Sequence, residues 1–577
     1  MKKLLVYIKG YGRECVLGPL FKLLEASFEL IIPLIVASII DRGIAAGDRA
    51  HVVRMVACMA ALGLVGLLAA VTAQFFAAKA AIGFSTRLRH VLMAHIQTLS
   101  YTELDTLGTS TLITRMTSDV NQVQSGVNMC LRLLLRSPFV VFGAMVMAFT
   151  IDVRCALIFV AVIAVLCAIV FSIMLITIPK YRAVQGQLDS VTAATRENLN
   201  GVRVLRAFCK EDAETEKFER RNQLLTHMQL AVGRISASMN PLTYVVINAA
   251  VIALIYSGAL RVDMGTLSQG EVIALYNYMS QILVELVKMA NLIILLTKAW
   301  ACGDRISAVL DVQSSQLSGD RGFDEARRGS VSFEDVSVHY KDAGADALEH
   351  ISFSARPGET IGVIGGTGSG KSTLISLIPR FYDATSGRVC VGGVDVRELK
   401  KETLRDAVAV VPQKAVLFKG TIRSNLLWGN ENATEQELLD ALSTAQALDV
   451  VNAKPGRLDE PVEQGGRNFS GGQRQRLTIA RALVKKPDIL ILDDSASALD
   501  YATDASLRRA IRQMDNRPTT FIVSQRASSV RFADQIIVLD DGCVAGIGTH
   551  DALLASCPVY QEIYASQYGR EEAVQHG

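Results

Sequence analysis

At 577 residues the chain is too long for one hydrophobic core, and a mean hydropathy of +0.30 is too apolar for an ordinary water-soluble protein, so several domains are expected, one of them in lipid. Its 59 basic and 56 acidic residues leave a net charge of +3, which gives no support to a nucleic-acid partner. The ten cysteines are scattered, with no C-x-x-C pair and no histidine cluster at zinc spacing, and read as reduced structural thiols.

The N-terminus is basic (Lys2, Lys3, Lys9, Arg13) and then apolar with no small-residue cleavage site, so it reads as a membrane helix rather than a signal peptide. Six apolar stretches, near 16–40, 55–78, 131–150, 155–178, 241–260 and 272–296, are each long enough to cross a bilayer at about 20 residues. The connections 79–130 and 179–240 are long and rich in Lys and Arg, which places them and both termini in the cytoplasm of a multi-pass cytoplasmic (inner) membrane protein. Both long connections keep helical spacing of apolar residues, as in Leu112-Ile113-Met116-Val120-Val123. They are expected to extend the membrane helices inward and to turn near Tyr101-Leu104-Asp105 and Gly201-Val202-Arg203, where a short helix can rest on a soluble domain. Residues 1–15 form a cytoplasmic segment, 16–300 the membrane domain, and 301–329 a linker that includes the polar run Val312 to Gly329. From Ser330 β-branched strands alternate with helices in an α/β domain reaching 568, followed by a polar tail, 569–577.

Charges inside membrane helices are costly and therefore informative. Lys22, Glu25 and Glu29 share one face of the first stretch, and Gln281, Glu285 and Lys288 share one face of the sixth, next to Asn291. Two readings stand open: a wet cavity that contacts cargo, or snorkelling and pairing between helices. Glu25, Glu29 and Glu285 suit a cation or an amphiphilic drug, while Lys22 and Lys288 would offset them. Arg132 and Arg136, at the cytoplasmic start of the third stretch, read as interface anchors.

The most specific signal is IGVIGGTGSGKSTL, Ile361 to Leu374. Gly365, Gly366, Thr367, Gly368, Ser369, Gly370, Lys371 and Ser372 match G-x-x-x-x-G-K-[ST], the Walker A loop. A buried strand feeds the loop, its glycines let backbone N–H groups approach phosphates, and Ser372-Thr373 open a helix whose N-terminus favours anions. Lys371 is expected on the β- and γ-phosphates of ATP and Ser372 on Mg²⁺. Ile489 to Asp493 reads as a Walker B strand presenting its acid to the same Mg²⁺.

Between them stands Asn468-Phe469-Ser470-Gly471-Gly472-Gln473, and here the chain resembles the ATP-binding cassette (ABC) family, whose signature is usually written LSGGQ. The resemblance runs over about 17–566 and implies an α-helical six-span membrane domain of ABC exporter type 1 fused to an α/β P-loop NTPase cassette. It implies that Tyr340 stacks on adenine and that Gln413 senses Mg²⁺ and the attacking water. It also implies that Glu463-Gln464-Gly465-Gly466 touches the cytoplasmic helix turns, and that Ser497-Ala498-Leu499-Asp500 is a D-loop crossing to a partner. Family members hold each ATP between the Walker A loop of one cassette and the signature of the other, so Ser470, Gly471, Gly472 and Gln473 would serve a partner's ATP.

Two positions depart from the family pattern. Asp494 stands where the family places a glutamate general base, about 1.5 Å shorter in reach, and ~1 Å of misplacement costs about 10²-fold. Gln525 replaces the switch histidine and carries neither proton nor charge. Together they imply a site that binds ATP and hydrolyses it poorly, in a heterodimer with a homologous half-transporter, as in heterodimeric bacterial multidrug-type exporters. The expected cargo is a small or amphiphilic molecule, multidrug- or lipid-like, exported through membrane lipid by alternating access. The alternatives are an exporter-fold importer of a metal chelate, an ATP-gated channel or regulatory membrane protein, and a homodimer with two slow sites.

Overall fold

The computed structural model describes residues 2–341, 343–495 and 497–568; the tail 569–577 lies outside the described residues. The chain divides into two compact units, one holding the residues up to Gln97 with Gly108–Val312, the other Thr98–Leu107 with the residues from Gln313 onward.

The first unit contains six helical segments long and apolar enough to cross a membrane: Gly12–Ile44, Arg49–Thr98, Thr109–Ile151, Val153–Asn200, Glu211–Asp263 and Gln269–Leu310. They extend well past the apolar stretches themselves; the 50 residues of Arg49–Thr98 make a helix of about 75 Å at 1.5 Å per residue. Small residues let the helices approach closely. Ala73, Ala77, Ala80 and Ala81 are fully buried, and a Cβ on Gly126 would stand 2.3 Å from the Ala299 Cβ. Side chains close the turns between spans. Asp152 accepts from the Cys155 N–H at 2.8 Å to start the fourth, and Ser268 with Glu271 forms a capping box at the start of the sixth. Asp41 then accepts from the Gly270 N–H at 2.8 Å, tying the end of the first span to that cap.

Two boundaries differ from those read in the sequence. The sixth helix continues unbroken to Leu310, ten residues beyond the expected start of the linker, because Cys302, Ile306 and Val309 prolong its buried face and Arg305 pairs with Asp119 at 2.6 Å. The third stretch is interrupted at Leu134-Leu135, which leaves Arg136–Ile151 as a separate 16-residue helix.

In the second unit the strands are β1 (Val331–Val338), β2 (Leu348–Ala355), β3 (Thr360–Gly365), β4 (Ser386–Val391), β5 (Val394–Asp395) and β6 (Val408–Val411). They are followed by β7 (Gly420–Thr421), β8 (Pro461–Val462), β9 (Ile489–Asp493), β10 (Thr519–Val523), β11 (Gln535–Asp540) and β12 (Cys543–Gly548). The main sheet has the order β12-β11-β3-β10-β9-β6, parallel except at β12. β3 and β10 are buried at every residue, which is why both read as unbroken apolar or β-branched runs without alternation. A smaller antiparallel sheet, β2-β1-β4-β5, packs its Val331, Phe333, Val389 and Val391 into the same core as Ile361 and Val363 of β3. The parallel arrangement aims the C-terminal ends of β3, β10, β9 and β6, four neighbours, at one edge.

The short helix Tyr101–Leu107 belongs to this second unit. The Tyr101 ring lies 4.8 Å from that of Phe381, the Tyr382 hydroxyl donates to Asp105 at 2.6 Å, and Glu103 accepts from the Ser315 N–H at 3.2 Å.

Near the C-terminus His550 shares a 2.8 Å hydrogen bond with the Tyr560 hydroxyl and lies 5.3 Å from the Tyr564 ring. Burial holds its pKa below the usual histidine value. The unfolded chain therefore takes up a proton at a pH where the folded cassette does not, and stability falls as pH drops through about 6.5. Thermal unfolding of the purified protein at pH 7.5 and 5.5 should show a loss for wild type that His550→Asn reduces; an equal loss in both would mean that His550 does not set the acid limb.

Candidate nucleotide site

The loops leaving β3, β6, β9 and β10 converge on a cleft of about 410 Å³ lined by Tyr340, Ala347, Thr367, Gly368, Gly370, Lys371, Ser372, Thr373, Gln413, Asp493, Asp494, Val523, Ser524 and Gln525. Gly368 and Gly370 have φ of +87° and +90°, and a Cβ on Gly370 would stand 2.6 Å from the Ala347 carbonyl oxygen. Behind the loop, a Cβ on Gly365 would meet the Leu539 carbonyl oxygen at 2.2 Å, whereas at Gly366 and Gly368 nothing lies within 4 Å. The first and last glycines thus fit protein against protein, and the middle ones leave room for a phosphate. Lys371 Nζ donates to the Gly365 carbonyl at 3.0 Å, to the Gly366 carbonyl, and to Ser369 Oγ at 3.3 Å, so it lies along the loop. Burial lowers its pKa, and Asp494 and Asp493 partly offset that.

Ser372 Oγ donates to both carboxylate oxygens of Asp493 at 3.3 Å, joining the start of the helix after β3 to the end of β9. Burial holds the Asp493 carboxyl above its ordinary pKa against the Ser372 hydrogen bond, and neighbouring Asp494 pushes the same way. A hydroxyl and a half-buried carboxylate with a second acid beside it form an oxygen donor pair that fits Mg²⁺. Tyr340, its hydroxyl donating to Thr373 Oγ1 at 3.2 Å, stands edge-on to Tyr382 with ring centroids 5.4 Å apart. Gln413 Nε2 donates to Asp494 Oδ2 at 3.2 Å, and Asp494 itself takes a φ of +44°. Gln525 follows β10 with its side chain exposed to the cleft, and its carbonyl accepts from Gln567 Nε2 at 2.7 Å.

The remaining sequence candidates lie elsewhere in the cassette. Ser470 caps the helix Gly471–Val484 in a capping box with Gln473, whose Oε1 accepts from the Ser470 N–H at 3.0 Å. Ser470 and Gly471 are exposed, Gly472 less so, and Phe469 is buried with Lys454 Nζ 5.0 Å over its ring. The Phe-for-Leu difference thus faces the core, not the exposed signature. Asp500 caps the helix Tyr501–Arg512 by accepting from the Thr503 N–H at 2.8 Å, and Ser497 Oγ donates to the Asp494 carbonyl at 2.8 Å. Gly465 and Gly466 turn with φ of +72° and +66°.

Sequence reasoning missed Tyr382 and Ala347. The available signal for Tyr382 was the aromatic pair Phe381-Tyr382 directly after the Walker A helix; Ala347 contributes through backbone and leaves no such mark.

In the membrane unit the four cavity candidates are engaged with protein. Glu25 pairs with Lys22, Lys288 Nζ reaches Glu285 at 2.8 Å, and Ser137 Oγ donates to Glu285 at 2.8 Å. Arg136 is a correction to the expected interface anchor. It is 6% exposed and bridges Glu29 of the first span, at 2.6 Å, to Glu285 of the sixth. Glu285 is buried and Glu29 only partly so, and Arg136 supplies the cation that a buried carboxylate needs.

A phosphate loop and magnesium-type acid at the parallel edge of a cassette, in a chain with six membrane-crossing helices, define a nucleotide-dependent multi-pass membrane protein. Residues 15–286 match the ABC transporter transmembrane region and 348–497 the ABC transporter cassette. An uncharacterized ABC transporter ATP-binding protein of Mycobacterium bovis is 39% identical over 568 residues, 97% of each chain. An ATP-dependent lipid A-core flippase of Chromobacterium violaceum is 28% identical, covering 99% of this chain and 98% of that one. The structure of a bacterial Atm1-family ABC exporter with ATP bound superposes with a TM-score of 0.79 at 21% identity, over 97% of this chain and 98% of the other. The chain belongs to the ABC transporter family and has the exporter fold, with an ATP-binding cassette fused to its membrane region.

Because Gly370 combines positive φ with a 2.6 Å approach to Ala347, Gly370→Ala should lower ATP affinity more than about tenfold in equilibrium binding while the protein remains folded. Unchanged affinity would mean that the loop tolerates another conformation.

Proposed function

We propose that this chain is one half of a heterodimeric exporter that uses ATP to move a small or amphiphilic, multidrug- or lipid-like substrate across the cytoplasmic membrane, with both termini in the cytoplasm. Its own Walker site holds Mg·ATP and hydrolyses it weakly. The observation that carries this reading is the pair Asp494 and Gln525. Lys371, Ser372 and Asp493, which bind, are all present, whereas the two positions that handle water and the γ-phosphate carry a shortened acid and a neutral amide. Gln413 donates to that shortened acid, which supports a held rather than a turning-over site. In this assignment Thr367, Ser369, Thr373 and the loop glycines cradle phosphate, Tyr340 meets adenine, and Ser372, Gln413 and Asp493 hold Mg²⁺. Ser470, Gly471, Gly472 and Gln473 face the partner's ATP, and Ser497 and Asp500 form the crossing loop.

Exposed apolar surface supports a second half. Phe418 stacks on Trp428 at 4.3 Å with 46% and 66% of their surfaces exposed, and Val204 and Phe208, at the turn after the fourth span, are 60% and 71% exposed. The flippase relatives support a lipid-like cargo. Glu25, Glu29, Glu285 and Lys288 are proposed to border its path.

Energy transfer is proposed to use the contact from Tyr340 to Tyr382 to Asp105. Losing one charge-assisted hydrogen bond, about 1.5–3 kcal/mol, should uncouple without unloading the site. Tyr382→Phe should therefore keep ATP affinity and lower substrate-stimulated turnover; a fall in both would assign Tyr382 to nucleotide binding instead.

The reading is tested by ATP turnover of this chain purified alone in lipid nanodiscs, with dimer content measured, beside Asp494→Glu/Gln525→His. Negligible wild-type turnover restored by the double change is expected. Substantial turnover from a stable wild-type dimer would overturn the degenerate-site heterodimer.

A further inference from the structure

Apart from the nucleotide cleft, the cassette carries a second and larger cavity. It holds about 540 Å³, against about 410 Å³ in the cleft, and lies between the helix Tyr501–Arg512 and the segment Ser529 to Ala533. Its lining includes Thr360, the first residue of β3, and Thr520, the second of β10, whereas the Walker loop leaves the last residue of β3. Five steps along that strand, at roughly 3.3 Å each, separate the two ends by about 17 Å. The two cavities share no lining residue.

Helical spacing makes one wall basic. Tyr501, Ala505, Arg508, Arg509 and Arg512 fall on one face of their helix, and all five line the cavity. Arg509 is exposed and among the described residues has neither an ion pair nor a side-chain hydrogen bond. Arg512 is exposed and donates only to the Phe532 carbonyl. Arg508 Nη2 is buried and ion-paired to Asp504 at 3.0 Å, but is aligned for no hydrogen bond. On the other segment the Arg531 guanidinium stands 4.4 Å from the centroid of the Phe532 ring. Four guanidinium groups thus meet two carboxylates, Asp504 and Asp534, and Asp534 already accepts from the Thr360 N–H at 2.8 Å. Two positive charges are left in excess, and Arg508 and Arg512, one turn apart, repel each other until an anion lies between them.

The rest of the lining suits a flat apolar body. Ile511, Ile522 and Ala533 are apolar, and at the start of the helix Tyr501 is 59% exposed with no ring partner among the described residues. Seven residues separate Tyr501 from Arg508, about 10.5 Å at 1.5 Å per residue, a distance that a nucleoside and its phosphate chain span.

We propose that this cavity is a second nucleotide site, taking a nucleoside di- or triphosphate with its phosphates among Arg508, Arg509 and Arg512 and its base against the Tyr501 ring. The assignment goes beyond the export reading and does not depend on it.

The test counts radiolabelled ADP bound, with Mg²⁺, to the full chain in phosphatidylcholine nanodiscs by equilibrium dialysis. Two molecules per chain are expected. Arg509→Glu/Arg512→Glu should weaken one by at least about tenfold and leave the other, and Lys371→Ala should do the reverse, so the component each variant retains reports a folded cassette. Arg509→Gln, a single change at an exposed side chain, repeats the measurement without charge reversal and should weaken the same component several-fold. Tyr501→Ala should lower ADP affinity there and leave that of labelled pyrophosphate unchanged. One ADP per chain well past saturation of the Walker loop would overturn the proposal, as would a second component that neither arginine variant moves. Pyrophosphate bound as tightly as ADP would overturn the nucleoside assignment, since the base would then contribute nothing.

Discussion

Strands buried on both faces have one place to put polar chemistry, the edge where their loops emerge, and the cassette depends on that constraint. β3, β10, β9 and β6 lie side by side in parallel, so the phosphate loop, Gln525, Asp493 with Asp494, and Gln413 arrive together although they are spread over 161 positions of sequence. The same burial fixes the local electrostatics. Asp493 and Lys371 are each driven toward neutrality by desolvation, and each is held in place by hydroxyls and carbonyls of the loop it faces. A magnesium nucleotide brings charges of both signs to groups arranged for them, and binding relieves a cost already present in the fold.

In the membrane unit the same penalty acts with a different solution. There is no sheet edge to collect charge, so the acids of the first and sixth helices meet over an arginine of the third, and the pairing itself specifies which helices lie together. Small residues do the rest of the packing, since alanine and glycine faces allow the close approach that hydrophobic driving force does not provide in lipid.

Much of this was legible in the sequence wherever a residue acts through a local pattern. The six spans, the phosphate loop and the Walker B acid were, because hydropathy and glycine spacing are properties of contiguous residues. Long-range pairings were not. Glu29, Arg136 and Glu285 are separated by 107 and 149 positions, and nothing in the order of residues says that a basic residue at a helix start is swallowed by two distant acids. Tyr382 escaped for a related reason: its partners Tyr340 and Asp105 lie 42 and 277 residues before it in sequence. The sixth helix runs ten residues into the expected linker because Cys302, Ile306 and Val309 continue its buried periodicity up to the polar run that begins at Val312.

The division between groups kept and groups changed has a physical logic. Affinity for a nucleotide comes from many fixed contacts, backbone N–H groups, a lysine and a metal ligand pair, and survives loss of any chemistry at the γ-phosphate. Hydrolysis depends on two atoms placed within a few tenths of an ångström, the base oxygen and the switch residue's donor. On the proposed assignment, shortening one by a methylene and removing the charge of the other would subtract rate while leaving occupancy intact. A site so proposed would act as a clamp whose lifetime is set by dissociation. Paired with a hydrolysing site elsewhere, a clamp lets two cassettes separate at one side without losing contact at the other.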